Sequence, residues 1–386
     1  MKKLKLTDIA PYSGKRVKPF DGVKKYMSTG DFKNAGLNFV DVTFESKPSR
    51  ADILVSEGDI LFAKMANTNK VLSIDKKLDG IIVSTGFSVH KVQKNIVHPN
   101  YLLQYLKHDY FQRQKNKLCT GAIQSAISNS GIEKIFVPVP ENISDQKVIA
   151  NILSKVESLI GQRKQTISLL DEFLRCTFLE MFGDPVTNDK KCDTLPFNKV
   201  GHFQSGGTPS KGRPEFWEGI FPWVSPKDMK TTYIKDSQDH ISELVFAETR
   251  QKRIKPYSLL IVIRGMILVH TFPVAINIVE VAINQDLKAI EPNEKFNVFY
   301  LLVCLNGLKR QILDQISSAS HGTKKFDSSV LNKLRIPVPP IEDQNQFANI
   351  VRKTETLKEK YQSSLRELEN LYRSLSHQAF NGKLNF

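Results

Sequence analysis

The chain has 386 residues, of which 40% are hydrophobic and 25% charged; this composition excludes a wholly disordered protein and predicts two or three globular domains. Lysine and arginine outnumber aspartate and glutamate by 55 to 40, a formal net charge of +15. A surplus of that size favours a polyanionic partner such as nucleic acid or an anionic membrane surface.

Cysteine usage and apolar runs argue against two further classes of protein. The four cysteines are far apart and form no C-x-x-C pair, which disfavours a zinc or redox site and suits a reducing compartment. The basic N-terminus is not followed by the apolar segment of a signal peptide, and no apolar run reaches the ~20 residues of a membrane span. We therefore expect a cytoplasmic protein with no bound metal and no membrane association.

In chain order, the sequence predicts a globular domain, a long helix, a second globular domain and a second long helix. Residues 1–141 (domain 1) and 186–340 (domain 2) contain short β-like runs, then one short helix and a polar loop, so each is predicted to be α+β. Residues 142–183 and 341–382 lack proline, follow a proline-rich step and include a glycine at or near their C-terminal end, as expected for helices.

The second half of the chain repeats the first. Adding 198 maps the Asp-Gln pair at 145–146 onto the pair at 343–344. The 38-residue windows that begin there align without a gap and share eleven identical residues, where chance would give about two or three. The proline step before each helix aligns as well, at an offset of 199. The chain is therefore predicted to consist of two diverged copies of one unit.

Each long helix carries an apolar stripe with alternating steps of four and three residues, the a/d pattern of a coiled coil. Its polar interruptions, Arg163 in the first copy and Thr354 and Lys358 in the second, fall at different places. The two imperfect seams have equal length and are separated by a globular region, so the simplest arrangement packs them against each other. We expect an antiparallel coiled coil, a pseudo-twofold internal repeat and helices about 55 Å long.

Three stretches together resemble the specificity (S) subunit of type I restriction-modification systems. They are "SGGTPSKGRPEFWEGIFPWVSPKDM" at 205–229, the P-x-P-P-x-x-x-Q step that ends at Gln344, and "LYRSLSHQAFNG" at 371–382. The resemblance covers essentially the whole chain. The first copy departs from it, because only "YSGKR" at 12–16 stands near the place of the G-G-T-P turn, and Glu141 follows Pro140 where a second proline is expected.

This resemblance implies a non-catalytic protein that reads a bipartite target in double-stranded DNA, one half-site for each recognition domain. It also implies that the helical pair sets the distance between the half-sites and docks two methyltransferase (M) subunits, with restriction or translocase (R) subunits joining the full complex. S-adenosylmethionine, ATP and Mg²⁺ would then be bound by those partners, and this chain would bind no cofactor.

Candidate DNA contacts come from three places in the two copies. Around the G-G-T-P turn, glycines allow close backbone approach and the residues after them can reach phosphates or bases; the candidates are Gly207, Thr208, Ser210, Lys211 and Arg213. The polar loops before the proline steps contribute Thr323, Lys324 and Lys325, and in the first copy Gln124 and Asn129, whose amides can pair with adenine. Lys64 and Arg264 each end a β-like run at positions that we treat as equivalent. A solvated polar loop remains the alternative, and Trp217 and Trp223 are predicted to be framework residues.

Polar residues that are identical in both helices are candidates for partner docking, because surface polar side chains diverge unless a contact preserves them. They are Gln146, Asn151, Lys155 and Glu157 in the first copy and Gln344, Asn349, Lys353 and Glu355 in the second. The alternative is ordinary helix capping and i,i+4 pairing.

An enzyme would need a site that this sequence does not contain. There is no G-x-x-x-x-G-K-[ST] loop, no G-x-G-x-x-G and no H-E-x-x-H, and the eight histidines form no set with ligand spacing. The remaining alternative is a non-catalytic coiled-coil adaptor without sequence-specific DNA binding.

Overall fold

The structure is a computed structural model, and it describes residues 1–33, 36–121, 125–315, 317–318, 324–326 and 332–384. The chain forms two compact units. Unit 1 comprises Met1–Gln165 and Gln362–Phe386, and unit 2 comprises Thr166–Tyr361. Each unit therefore contains one globular domain together with part of both long helices.

In its described residues, domain 1 contains short strands and short helices. Its strands are β1 (Lys2–Lys5), β2 (Lys15–Arg16), β3 (Lys24–Met27), β4 (Phe32–Lys33), β5 (Gly36–Leu37), β6 (Val40–Val42), β7 (Ala51–Leu54), β8 (Asp59–Ala63), β9 (Val71–Ser73), β10 (Ile82–Ser84), β11 (Phe87–Lys91), β12 (Cys119–Thr120), β13 (Ala126–Ile127) and β14 (Phe136–Val139). Its helices are α1 (Leu6–Ile9), α2 (Pro99–Lys107), α3 (Asp109–Lys117) and α4 (Asn129–Ile132).

Two sheets form the centre of domain 1, a five-stranded sheet in the order β2-β7-β10-β3-β6 and a three-stranded sheet in the order β11-β8-β9. Strand β8 is buried along its whole length, which explains why its sequence, DILFA, is almost continuously apolar. A separate antiparallel pair joins β1 to β14, with Lys2 opposite Val139, and so ties the start of the domain to the step before the long helix.

Domain 2 repeats this plan with differences in detail. Its strands are β15 (Thr194–Pro196), β16 (Gly201–Ser205), β17 (Phe221–Val224), β18 (Tyr233–Ile234), β19 (Asp239–Ile241), β20 (Leu259–Val262), β21 (Val274–Asn277), β22 (Ala282–Ile283), β23 (Leu287–Pro292), β24 (Ser317–Ser318), β25 (Lys324–Lys325) and β26 (Arg335–Pro337). Its α-helices are α6 (Leu244–Glu248), α7 (Val298–Gly307) and α8 (Lys309–Gln315), and the 3₁₀ helices are Phe197–Lys199, Pro214–Phe216 and Met266–Val269.

The sheets of domain 2 are a five-stranded sheet, β16-β23-β20-β21-β18, and a three-stranded sheet, β19-β17-β22. Strand β20 takes the buried central place that β8 has in domain 1. Strand β15 pairs with β26 as β1 pairs with β14, with Thr194 opposite Pro337. The two domains therefore share both the central strand and the closing pair that leads into the long helix.

The long helices are α5 (Ile143–Phe182) and α9 (Ile341–Phe380), each of 40 residues, or about 60 Å at 1.5 Å per residue. Each ends at a nearby glycine with left-handed backbone, Gly183 with φ 74° and Gly382 with φ 70°. Such a conformation terminates a helix at little cost only when the residue has no Cβ.

Within each unit the two helices run antiparallel, which confirms the predicted coiled coil. In unit 1, Lys164 Nζ lies 2.9 Å from Glu369 Oε1, and the core that contains Ile149 also contains Phe380. In unit 2, Asp171 pairs with Lys358, and the ring of Phe178 lies 5.5 Å from that of Phe347. In both units, residue numbers fall along α9 as they rise along α5.

Candidate nucleic-acid interface and helical docking face

Two equivalent antiparallel strand pairs, β12–β13 and β24–β25 (the two hairpins), flank the polar segments proposed to contact DNA, and Lys324 and Lys325 lie in β25 itself. Each hairpin is anchored to the residue that follows the buried central strand: Ile127 N donates to Lys64 O at 3.0 Å, and Phe326 N donates to Ile263 O at 2.8 Å. A loop held in this way has a fixed base, as a recognition element requires. Gln124 and Thr323 lie outside the described residues, as do the side chains of Lys324 and Lys325.

These anchors correct one expected equivalence. Lys64 N donates to Gly86 O, and Ile263 N donates to Asp286 O, both at 2.8 Å. Lys64 therefore corresponds to Ile263, and Arg264 lies one residue further along the chain. Burial lowers the pKa of the Lys64 ammonium, whereas Arg264 is exposed and better placed to present its charge to a ligand.

Asn129 opens the short helix α4 directly after the first hairpin. The hydroxyl of Tyr12 donates to its backbone carbonyl at 3.1 Å, and the residue is exposed. Its side chain therefore remains a candidate for base pairing, and Tyr12, from the segment "YSGKR", fixes the backbone beneath it.

The G-G-T-P turn packs tightly on the start of the β22–β23 connection. A Cβ atom at Gly206 would collide with the carbonyl oxygen of Ile283, and Gly207 N donates to the same oxygen at 3.0 Å. The Thr208 hydroxyl donates to the side-chain oxygen of Gln285. The glycines are thus required by close backbone packing, and Thr208 is held at the surface of the turn.

Two tryptophans support this turn from below, as predicted. Trp223 Nε1 donates to Gly207 O at 3.0 Å, and Trp217 Nε1 donates to Ser210 O at 3.2 Å. Their rings meet edge to face at 5.0 Å. Both indole N–H groups are therefore engaged by the backbone of the turn, so the tryptophans act as framework residues.

Arg213, a candidate DNA contact from the sequence, is engaged by its own domain. Its Nε donates to Glu215 at 2.7 Å and its Nη1 to Glu248 at 2.5 Å, and its guanidinium lies 4.1 Å from the ring centre of Phe216. With two carboxylates beside it, Arg213 adds no net positive charge to the surface. Lys211 is exposed and remains the cation that this turn can offer to a phosphate.

A cleft of about 940 Å³ opens beside the turn, and it includes polar residues that the sequence did not single out. Thr208 and Lys211 line it together with Lys227, Asn284 and Gln285. The fold brings these residues together because β17 and β22 are parallel neighbours. Their separation along the chain concealed the cluster. Its two amides and two lysines are of the kinds that read base edges, and the carboxylates of Glu218, Asp239 and Asp286 also line the cleft.

On the helices, Gln146 and Gln344 are not docking residues, because both are completely buried. Gln146 forms three hydrogen bonds inside domain 1 and Gln344 forms three inside domain 2. A buried amide with all these contacts is unavailable to another protein. Their identity in the two copies reflects a structural role.

The other repeated polar residues divide into two groups. Asn151, Lys155, Asn349 and Lys353 are exposed, so a docking role for them stays a prediction. Glu157 accepts bonds from Gln104 at 2.9 Å and from Lys107 at 2.7 Å. Burial raises the pKa of its counterpart, Glu355. Glu157 is therefore engaged within its own unit, and Glu355 is half-buried.

Exposed apolar side chains flank the helical seam at equivalent places in the two copies. Unit 1 exposes Leu159 and Leu371 by 40% and 46%, and unit 2 exposes Phe173 and Leu357 by 50% and 39%. Each residue immediately precedes a seam residue, so within a unit the two lie on the same side of the pair. Because Leu159 is repeated as Leu357 and Phe173 as Leu371, the apolar surface is itself duplicated.

Within the described part of the chain, no helix is long and apolar enough to cross a membrane. Nor does that part contain a group of three or more His, Cys, Asp or Glu residues that could hold a metal ion.

Comparison with known proteins gives consistent matches. A family model for the type I restriction modification DNA specificity domain matches residues 1–169 and 192–369. The chain is 32% identical over 251 residues to the specificity subunit of the EcoR124I/EcoR124II type I restriction enzyme of Escherichia coli, and the match spans 63% of this chain and only 61% of that relative. It is 23% identical over 402 residues to the MjaVIII specificity subunit of Methanocaldococcus jannaschii, covering 94% and 87% of the two chains. Its fold is similar to that of a type I restriction-modification S subunit from M. genitalium, with a TM-score of 0.64, 15% identity and coverage of 98% and 96%.

Proposed function

The chain belongs to the type I restriction-modification DNA specificity family, and we propose that it is the non-catalytic subunit that selects the DNA target of such a complex. Each globular domain reads one half-site of a bipartite sequence in double-stranded DNA. The observation that carries this proposal is the duplication: two domains with the same central strand and equivalent anchored hairpins precede two helices of equal length. Because the two domains differ in sequence, the half-sites need not match.

The DNA-facing residues in this proposal come from the exposed members of the candidate set. Lys211 and Arg264 supply cations for phosphates, and Asn129 supplies an amide able to pair bidentately with adenine. The net charge of +15 supports a polyanionic ligand. Lys227, from the cleft beside the G-G-T-P turn, joins this set.

The helical pair serves as the docking surface for partner subunits in this proposal. One apolar pair in each unit, flanked by the exposed Asn151, Lys155, Asn349 and Lys353, supports two equivalent contacts and hence two methyltransferase subunits. Restriction or translocase subunits join through those partners. S-adenosylmethionine, ATP and Mg²⁺ are bound by the partner subunits, which carry out the chemistry in the cytoplasm.

DNA selection tests the recognition role. The chain, purified with its methyltransferase partner, would be incubated with a library of random duplexes, and the retained DNA would be sequenced. We expect two short fixed segments separated by a gap of constant length. If no sequence is enriched and binding depends only on salt and duplex length, the proposal is contradicted and the adaptor alternative is favoured.

Paired charge substitutions test the docking role. Leu159→Asp with Leu371→Asp should remove one of two bound methyltransferase subunits, and adding Phe173→Asp with Leu357→Asp should remove both, because each change places a charge in an apolar contact. The subunit ratio would be measured by light scattering after size-exclusion chromatography. The matched control is Ser158→Asp with Asn370→Asp, at exposed positions beside the first pair. Retention of two partners by the fourfold variant would contradict this docking surface.

A further inference from the structure

The two buried glutamines, Gln146 and Gln344, make the same three hydrogen bonds in their respective units. Gln146 Oε1 accepts from His98 N at 2.7 Å, and its Nε2 donates to Ile96 O at 3.2 Å and to Pro140 O at 2.8 Å. Both side chains have 0% exposure. The contacts of Gln344 follow the same pattern with the equivalent residues of domain 2.

In domain 2, Gln344 Oε1 accepts from Asn297 N at 2.9 Å, and its Nε2 donates to Lys295 O at 3.0 Å and to Pro339 O at 2.8 Å. Asn297 is the N-cap residue of α7, just as His98 is the N-cap residue of α2. Each glutamine therefore joins three parts of its unit: the long helix, the proline step before it, and the entry to the short helix of the recognition domain.

A tyrosine in each short helix braces the same joint. The hydroxyl of Tyr101 donates to Pro138 O at 2.5 Å, and that of Tyr300 donates to Pro337 O at 3.0 Å. Both tyrosines are almost fully buried. The proline step is thus fixed from the glutamine on one side and from the tyrosine on the other, in both copies.

This joint lies at the N-terminal end of each long helix, so a small rotation there displaces the far end of the helix. A helix of about 60 Å that turns by only ~5° at one end moves sideways by about 5 Å at the other. Because DNA turns once in about 10.5 base pairs, one base pair more or less rotates the second half-site by about 34° around the DNA axis. Sideways freedom of a few ångströms at the far end of the helix would therefore let the second domain follow a half-site at the wrong spacing. An amide with its acceptor and both donor directions occupied limits that freedom, because any rotation breaks a buried bond.

We propose that Gln146 and Gln344 are positioning residues that fix the direction of each long helix from its recognition domain and so set the spacer length of the bipartite target. This inference rests on the proposed function, because a spacer exists only if two half-sites are read. Both glutamines are fully buried and so out of reach of a DNA base, and we expect half-site preference to be independent of them.

The variants to test it are Gln146→Met and Gln344→Met, singly and together, because methionine keeps the volume of the side chain and removes its hydrogen bonds. Gln165→Met and Gln346→Met are the controls, since both glutamines are exposed on the same helices. Tyr101→Phe and Tyr300→Phe each remove only the hydroxyl that bonds the proline step. They provide milder variants if the methionine variants fold poorly.

Each protein, in complex with its methyltransferase partner, would methylate duplexes that carry the selected half-sites with the natural spacer or with one base pair more or less. We expect the joint variants to lose at least about tenfold in discrimination between spacers, the effect of roughly 1.4 kcal/mol, and to keep the preference within each half-site. Unchanged spacer discrimination in folded variants would overturn the inference, as would an equal loss of half-site preference. If the unmodified chain selects no bipartite target, the proposed function itself fails, and the two failures are thereby distinguished.

Discussion

Phe380, at the end of α9, should be a main source of stability for unit 1, and its replacement by alanine provides a direct test. The side chain is 3% exposed and meets three rings of domain 1: Tyr101 at 5.6 Å, Tyr105 at 5.2 Å and His108 at 5.0 Å between ring centres. Truncation of such a residue leaves a large cavity, and we expect Phe380→Ala to cost about 3–5 kcal/mol.

Unit 2 contains the equivalent residue, which makes a matched comparison possible. Phe182, 198 positions earlier, packs on Tyr300 at 5.0 Å and on Phe347 at 5.5 Å. Both tryptophans of the chain, Trp217 and Trp223, are in unit 2. Tryptophan fluorescence therefore reports the unfolding of unit 2, whereas far-ultraviolet circular dichroism reports both units.

In urea titrations, Phe380→Ala should lower an unfolding transition seen by circular dichroism and leave the tryptophan transition nearly unchanged, and Phe182→Ala should lower the tryptophan transition. Leu371→Ala is the control on the same helix, because its side chain is 46% exposed and its loss should cost less than about 1 kcal/mol. A cost for Phe380→Ala no larger than that for Leu371→Ala, or an equal shift of both signals, would show that Phe380 is not a main source of stability for unit 1.

Four further predictions concern other parts of the structure. Both ring nitrogens of His90 are hydrogen-bonded, and burial lowers its pKa to about 4. Between pH 6.5 and 4 the unfolded chain therefore binds a proton that the folded protein does not. The free energy of unfolding should thus fall by up to about 3 kcal/mol as the pH falls through that range. The free energy of unfolding of the unmodified protein minus that of His90→Gln, measured by urea unfolding at several pH values, should decrease as the pH falls. A difference that does not depend on pH would contradict this prediction. Gln104→Leu should cost unit 1 about 2–3 kcal/mol in the same assay, since the Tyr372 hydroxyl of α9 loses its acceptor and Glu157 of α5 keeps only the bond from Lys107; a cost below about 1 kcal/mol would contradict the contribution of these bonds. Lys211→Ala and Arg264→Ala should each weaken DNA binding and reduce the salt slope by about 0.9, and a residue whose loss leaves the slope unchanged does not contact phosphate. Removal of one heptad from the centre of both long helices, about 10 Å in length, should shorten the selected spacer by roughly three base pairs, whereas an unchanged spacer would show that the helices do not set it.

The repeat and the helical pair were accessible from the sequence because both depend on local periodicity. An a/d stripe places apolar residues on one face regardless of the rest of the fold, and the glycines at 183 and 382 mark the ends through backbone geometry alone. The antiparallel direction followed from the order of segments. The division into units did not, because each unit combines parts of the chain that are distant in sequence.

Side-chain roles were harder to predict wherever a polar residue has partners from distant segments. Gln146 and Gln344 are repeated polar residues on a helix, a pattern that fits a docking face as well as a buried joint, and only their contacts 48 and 47 residues away distinguish the two. Arg213 finds one of its two carboxylates 35 residues further along the chain. The sequence contains each partner but does not indicate the pairing.

Strand register limited the prediction of the DNA-facing residues. Lys64 and Arg264 both end a β-like run, yet the hydrogen bonds to Gly86 and Asp286 align Lys64 with Ile263. A shift of one residue reverses the direction of a side chain relative to the sheet. Cross-strand bonds determine that register, and a single strand sequence does not specify them.

Single-molecule mapping of methylated bases in the DNA of cells with and without this chain, with the proposed methyltransferase partner present in both, tests whether the chain selects the DNA target. We predict that removal of the chain abolishes methylation at one two-part motif with a fixed gap, and that its return restores the same motif. An identical methylation pattern in both cells, with the complex shown to assemble, would contradict the claim that this chain selects the DNA target.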